Sequence, residues 1–486
     1  VEQLQRHPDR LFSRDPDVLS ISRRLYELVS NLPIISPHGH VEAELLARNP
    51  HFESPSELFI RPDHYLTRVL HSVGVDLGLL GVNSPNYDPR QAWAILAENW
   101  HLFLGTPTRY WLEDQMSIIF DVEKELNPET ASGIYDQISE HLIDDRFRPK
   151  QLLQSFGVEH LATTDAAHSD LSWHRELAKD SEFSVRVCPT LRPDALMNPG
   201  QPSWRSALDS LAAQTKTKIS SFSDLLKALT QQRELFTQNL ATSTDTGIAD
   251  ARARRLEADE IESLFAKGLD GALSSDQAKD FQSHFLYELI QMASEDGMVM
   301  QLHAGVLRNH HGPTLERSGP DSGHDLPLST SFSENLREAL NEFGTGSKLR
   351  MVLFSVDAVA YARDIAPLAG FYPSLYLGAP WWFLDHPEQI SAIRESTTAH
   401  VGFYKTSGFI DDTRALCSIP ARHDMSRRLD SSFLAKQVAT KRISIRDAER
   451  VAVDLVTRIP AEAFRLDNQL STGPFSVGEV PPGTSR

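Results

Sequence analysis

No run of about 18 consecutive apolar residues occurs in the 486-residue chain, which excludes a membrane-spanning helix. The first residues, VEQLQRHPDRLF, lack the basic and apolar regions of a signal peptide. Cysteine is nearly absent: Cys188 and Cys417 are too few for a disulfide framework and are not spaced as a zinc knuckle. These scarcities agree with a reducing, cytoplasmic setting. Positive charge is also in short supply. A formal net charge of -18 leaves no basic stripe to displace counterions from phosphates, so neither a nucleic-acid nor a membrane partner is expected. An anionic ligand would need local arginines to overcome that field. Finally, no G-x-G-x-x-G or Walker loop is present, so the usual phosphate cradle of a doubly wound sheet is missing.

What is present is core material. A hydrophobic content of 40% over this length allows one large α/β domain with a sizeable insertion, or two ordinary domains. Seven apolar, strand-like runs each finish in polar residues: LPIISPHGH from Leu32, VEHLATTDAAHSD from Val158, FSVRVCPTLRPD from Phe183, GMVMQLHAG from Gly297, LRMVLFSVD from Leu349, SLYLGAPWWF from Ser374 and TSGFIDDTR from Thr406. They alternate with helical segments, which implies a parallel sheet buried on both faces. A (β/α)8 TIM-like barrel would gather His38, His40, Asp165, Arg192, His303 and Asp412 at the C-terminal ends of its strands.

More than a hundred residues of helical pattern separate the first run from the second. The expected organisation is therefore a barrel of residues 1–42 and 151–470, a helical insertion at 43–150, and a flexible tail at 471–486, rich in Pro, Gly and Ser. A second helical stretch is expected from Ser203 to Asp296. Within it, Ser274 and Gln277 have capping-box spacing, the helix should end near Gly297, and Ala278, Phe281, Phe285 and Leu289 form its core stripe. The segment from Arg61 reads as an amphipathic helix with Leu66, Val69, Leu70 and Val73 inward.

The pair His38-x-His40 closes a buried run. If the strand continues through it, side chains at i and i+2 share a face and both imidazoles converge on one point, as metal ligands do; the plainer alternative is a polar loop. A carboxylate from the last strand would complete a three-ligand site with a position left open, and Asp412 and Asp411 compete for that place. His303 could be a fourth ligand or a hydrogen-bonded pocket residue. No strand end supplies a lysine for a carbamate bridge, so one divalent ion is expected rather than two. Arg192 and Arg414 both follow strands and could grip a carboxylate; alternatively Arg192 simply pairs with Asp194. Trp381 and Trp382 read as core or as a stacking platform for a polyol.

The order of these fragments resembles the uronate isomerases (glucuronate isomerases) of the amidohydrolase superfamily. The likeness covers His38-x-His40, DHY at Asp63–Tyr65, TTD at Thr163–Asp165, RPD at Arg192–Asp194, QLHAGVLRN from Gln301, GPDSGHD from Gly319, WWF from Trp381, DDTR from Asp411 and RHDMSRR from Arg422. The resemblance implies interconversion of an aldose and a ketose uronate, D-glucuronate with D-fructuronate or D-galacturonate with D-tagaturonate. It implies a divalent metal, usually zinc, on His38, His40 and Asp412, and it favours Asp412 over Asp411. It further implies Asp412, Tyr65 and His64 as catalytic groups, with Asp412 or Tyr65 as the base, and Arg192, Arg414, His303 and Trp381 as substrate contacts. A homo-oligomer is expected.

The chain departs from the family pattern at TTDAA, where Ala166 replaces a second acid, at TDTG, where Thr246 replaces a histidine, and at RNHH from Arg308. Two other readings compete. A metal-dependent hydrolase such as a sugar lactonase would attack an ester with a metal-activated water, and a uronate binder would show saturation without turnover.

Overall fold

The structure, a computed structural model, describes residue 4 and residues 6–466. The proposed tail at 471–486 lies outside the described residues. The strands are β1 Ile34–Ser36, β2 Val158–Ala162, β3 Asp165–Ala166, β4 Arg186–Cys188, β5 Leu191–Arg192, β6 Ser243–Ile248, β7 Val299–Ala304, β8 Val306–Leu307, β9 Leu326–Pro327, β10 Met351–Ser355 and β11 Leu375–Leu377. One ladder runs β1-β2-β4 and another β11-β10-β7-β6-β5-β3, all parallel. β8 and β9 form a separate antiparallel pair.

The two ladders are one circuit. β2 passes into β3, and β4 into β5, across gaps of two residues, and the pairing continues through them: Thr163 N–H donates to the Cys188 carbonyl and Asp165 N–H to that of Thr190, both at 2.9 Å. At the other end Leu377 bridges Thr406 in parallel. His40 N–H then donates to the Thr413 carbonyl at 3.0 Å, bringing the last segment back to the first strand. Eight parallel positions taken in chain order make this an α/β fold of the (β/α)8 type. β7 and β10 are buried along their whole length, as strands covered by helices on one side and by the ring's interior on the other must be.

Between β1 and β2 the chain is helical, with no strand among the described residues. Several of these helices start the same way, with a hydroxyl or carboxylate cap followed by proline: Ser54 before Pro55, Asp88 before Pro89, Thr106 before Pro107. The cap accepts an otherwise unpaired N–H, and proline's fixed φ suits the first turn. The core of the insertion, including Leu58, Phe59, Leu66, Trp93 and Phe120, is continuous with Ile34, Val158 and Leu161 of the ring, so the insertion is packed onto the barrel. In the helix His64–Ser72, Leu66, Thr67 and Leu70 are buried. Val69 is half-buried, and Val73, expected inward, sits at the C-cap of the helix, beyond the part packed on the core, and is 52% exposed.

The capping box at Ser274 and Gln277 is formed, and the helix Ser275–Asp296 ends on Gly297 at φ +80°. Phe281, Phe285 and Leu289 are buried on it, each contributing about 1.5–3 kcal/mol, while Ala278 is half-buried.

The expected helical stretch from Ser203 to Asp296 needs correction, for it contains a strand, β6. Its Ser243, Thr244, Asp245 and Thr246 are all buried although polar. A strand whose side chains are polar on both faces gives no apolar alternation to read, and this one passes as a loop between helices. The helix Ser418–Ala439 closes the architecture. Its buried Arg427 donates to the carbonyls of Ser30, Leu32 and Pro33 at 2.9, 2.8 and 3.0 Å and so fixes the chain leading into β1.

Candidate active site

β1 ends at Ser36, so His38 and His40 lie just beyond it and not in strand alternation. Their convergence comes from the loop, which is pinned on both sides. The Gly39 carbonyl accepts from Thr164 Oγ1 at 2.9 Å, and His40 N–H reaches the Thr413 carbonyl. The rings stand edge to face, with centroids 5.2 Å apart.

Asp412 meets them from the other end of the chain. Its Oδ1 lies 3.2 Å from His38 Nε2 and 3.0 Å from His40 Nε2, yet it is buried without a hydrogen bond of proper geometry. Its backbone sits at φ +40°, a conformation an aspartate tolerates better than most residues. Asp411, the rival, turns away to accept from His423 Nε2 at 3.0 Å. Burial opposes charge on all three of the clustered groups. The neighbouring carboxylates nonetheless hold His38 above its usual pKa, while burial wins at His40 and lowers it. The two imidazoles keep Asp412 well below the usual carboxylate range. Two imidazole nitrogens converging on an orphaned, ionised carboxylate oxygen are a donor set that fits a divalent metal ion.

A second triad, His38, Asp245 and His303, shares one imidazole with the first. Asp245, on the strand unread in the sequence, is 1% exposed and already engaged: Oδ1 lies 2.7 Å from His303 Nδ1 and Oδ2 lies 3.1 Å from Arg192 Nη1. Despite burial, Arg192 and His303 hold it below its ordinary pKa. With Nδ1 donating to that carboxylate, His303 is the tautomer with a bare Nε2, and this nitrogen is buried without a partner. The ring is stacked on His38 at 4.8 Å and on Phe354 at 4.2 Å, with Trp381 edge-on at 4.6 Å.

Arg192 does pair with Asp194, Nε to Oδ2 at 2.7 Å, and still reaches the cavity. The strand beside it makes room. A Cβ on Gly247 would stand 2.7 Å from Arg192 Nη2 and 2.9 Å from Asp194 Oδ2, and Gly247 N–H donates to Asp194 Oδ1 at 3.0 Å.

The insertion contributes His64 and Tyr65 at the start of their helix, where Asp63 accepts from the N–H groups of Tyr65 and Leu66 at 2.9 and 3.2 Å. Burial, aided by the charge of Arg414, pushes His64 down to about 4, so it is neutral at pH 7. Burial pushes the Tyr65 phenol far up, so it keeps its proton. Behind Tyr65, the buried Arg422 lies over the Trp111 ring at 3.8 Å and the Tyr65 ring at 4.9 Å, and pairs with the buried Asp385. Burial, reinforced by Asp412 and Asp411, outweighs Arg422 and raises the Asp385 carboxyl to about 7.

One cavity of about 420 Å³ is lined by His38, His40, His64, Tyr65, Arg192, His303, Trp381, Asp412 and Arg414 together. Asp165, also expected at a strand end, instead accepts from Thr163 Oγ1 at 2.6 Å beside His174. Asp63, Asp245, Arg308, Asp321 and Arg422 line the cavity as well and were not singled out from the sequence. The signal was at hand for all five, since they sit in the fragments DHY, TDTG, RNHH, GPDSGHD and RHDMSRR. The volume suits a small polar ligand such as a sugar acid.

The sequence model of a family described as glucuronate isomerase matches residues 18–460. A protein named uronate isomerase from Corynebacterium efficiens is 42% identical over 462 residues, covering 95% of this chain and 98% of its own. The crystal structure of glucuronate isomerase from Caulobacter crescentus has a TM-score of 0.94 at 40% identity, with coverage of 96% of this chain and 98% of that one. That of uronate isomerase from Thermotoga maritima has a TM-score of 0.88 at 28% identity, covering 94% and 99%.

Proposed function

Because this chain belongs to the glucuronate isomerase family, whose reaction is aldose–ketose isomerisation of a uronate, we propose that the cavity described above interconverts D-glucuronate with D-fructuronate, D-galacturonate with D-tagaturonate, or both. The observation that carries the assignment is the Asp412 oxygen, 3.2 and 3.0 Å from two imidazoles, in the same cavity as Arg192 and Arg414. His38, His40 and Asp412 would hold one divalent ion, zinc in this reading, which when bound supplies a Lewis acid that grips substrate oxygens.

The residues divide the work by protonation state. Asp412, ionised at any ordinary pH, is the base that takes the proton from carbon 2 of the aldose. The electron pair moves into a carbon 1–carbon 2 double bond and leaves negative charge on oxygen 1. Tyr65, which keeps its proton throughout, donates a hydrogen bond to that oxygen. The proton on oxygen 2 then passes to oxygen 1, and Asp412 returns its proton to carbon 1 to complete the ketose. Neutral His64 stands ready to relay between the two oxygens. Arg192 and Arg414 hold the carboxylate so that one carbon faces the base, and Trp381 supports the polyol face.

The test is a proton NMR time course in deuterium oxide with each aldose uronate. Ketose signals with deuterium appearing at carbon 2 of recovered substrate are expected; silence with both uronates, and opening of sugar lactones instead, would transfer the assignment to a hydrolase. Gly247→Ala is expected to raise KM on the order of tenfold by displacing Arg192, with far-UV circular dichroism unchanged. An unchanged KM would remove Arg192 from the carboxylate site.

We carry a cytoplasmic location and a homo-oligomer into the same proposal. Support comes from Cys188 and Cys417, buried and not joined in a disulfide, and from the exposed apolar Leu104, Ile118 and Ile143 of the insertion. No helix among the described residues is long and apolar enough to cross a membrane.

A further inference from the structure

Four arginines line the cavity, and they are not equally free to take a ligand carboxylate. Arg192 is divided between Asp194 at 2.7 Å and Asp245 at 3.1 Å. Arg422 is fully buried against Asp385. Arg308 donates at 2.8 Å to Asp325, a buried carboxylate also fixed by Asn309 N–H at 2.7 Å. Arg414 differs. Among the described residues its single carboxylate contact, Nη2 to Asp321 Oδ2 at 3.1 Å, joins side chains that are 41% and 51% exposed. An ion pair of that kind is worth little in water, so it is the one an incoming anion can break.

Asp321 does not hang on a loose chain. Its backbone is at φ +57°, and the Ser322 hydroxyl donates back to the carbonyls of Ser318 and Gly319, both at 2.8 Å. Asn83 of the insertion donates to the Ser318 carbonyl, and Gly323 packs on Arg68 so closely that a Cβ there would stand 2.7 Å from its Cγ. The carboxylate is thus held at the cavity wall by fixed backbone. It is also ionised, since Arg414 overcomes the effect of burial and lowers its pKa.

We propose that Asp321 is a built-in stand-in for the substrate's carboxylate: it occupies Arg414 in the free protein, and a uronate enters by displacing it. A neutral aldose has nothing to exchange for Asp321, so Arg414 stays paired and gives such a sugar no purchase. Competition with the internal anion then lowers the affinity for an acid and leaves that for a neutral sugar where it was, so Asp321 sets how tightly Arg414 holds the substrate. This rests on the isomerase reading for the identity of the ligand, but the exchange itself concerns any polyol carboxylate.

The test uses D-gluconate, which carries the carboxylate and polyol but no carbonyl to isomerise, with sorbitol as its neutral counterpart. Calorimetric titration of the metal-loaded protein should show gluconate binding about fivefold tighter to Asp321→Asn than to the unsubstituted protein. Sorbitol binding should not change. KM for the uronate should fall by a similar factor while kcat is retained, and in an Arg414→Gln background the gain from Asp321→Asn should vanish. Gluconate binding that is unchanged or weaker in Asp321→Asn, a gain that survives without Arg414, or a collapse of kcat would each overturn the proposal. If the unsubstituted protein turns over no uronate and gluconate still responds to Asp321→Asn through Arg414, the exchange stands and the isomerase assignment falls.

Discussion

Asp412→Ala is expected to lose bound metal and turnover together, with kcat reduced on the order of a thousandfold or more, while the fold persists. The substitution removes the one oxygen that both imidazoles face and, in the proposed chemistry, the group that takes the carbon 2 proton. His38→Ala should lose the metal as well, but retains the carboxylate. Metal content by mass spectrometry, steady-state rates and far-UV circular dichroism on the same preparations check this. Full turnover of either variant after the metal has been stripped would show that the ion and the chemistry lie elsewhere. His423→Ala serves as the contrast, for it leaves Asp412 in place and frees only Asp411.

Stability should fall steeply as the medium is acidified from pH 6.5 towards 4. His160 is 1% exposed, has an unpartnered Nδ1, and is pushed down to about 3 by burial and by Arg186. His284 is 4% exposed and pushed down to about 4 by burial and by Arg255; its Nδ1 accepts from Leu256 N–H at 3.0 Å, a bond that protonation would abolish. Both folded-state values lie below the unfolded value near 6.5. Their contribution is therefore complete above about pH 6.5 and is lost as pH falls, because the unfolded chain takes up two protons that the folded chain refuses. Each proton contributes a slope of about 1.4 kcal/mol per pH unit, so the pair costs about 3 kcal/mol per unit in that window. Urea unfolding at pH 7 and pH 5 measures it. His160→Gln and His284→Asn should each remove one proton's worth of slope, and equal stability of the unsubstituted protein at the two pH values would show that these histidines are not held neutral.

The alternation of apolar runs with helical segments was enough to indicate the barrel class, because strands buried on both faces advertise themselves by hydrophobicity. β6 did not, because its buried residues are Ser243, Thr244, Asp245 and Thr246, and the same polarity that makes it useful hides it. The cluster of His38, His40 and Asp412 could be suspected from position, though for an imperfect reason: the imidazoles converge through a loop held by Thr164 and Thr413, not through strand alternation. The second layer was beyond reach. That Asp245 joins Arg192 to His303, or that Arg422 lies over Trp111 beneath Tyr65, depends on residues brought together from distant elements, and no local pattern encodes such a meeting.

The hydrogen bond from His40 to Thr413 closes the ring beside the very residues that would hold the ion, so the proposed metal site sits on the seam of the barrel. In that reading two of the three ligands lie near the start of the chain and the third near its far end, so the site would be complete only once the last segment has reached the first strand. Occupancy of the site would then report completion of the fold, and bound metal would act as a clasp between the first strand and the last segment of the ring, resisting its opening there.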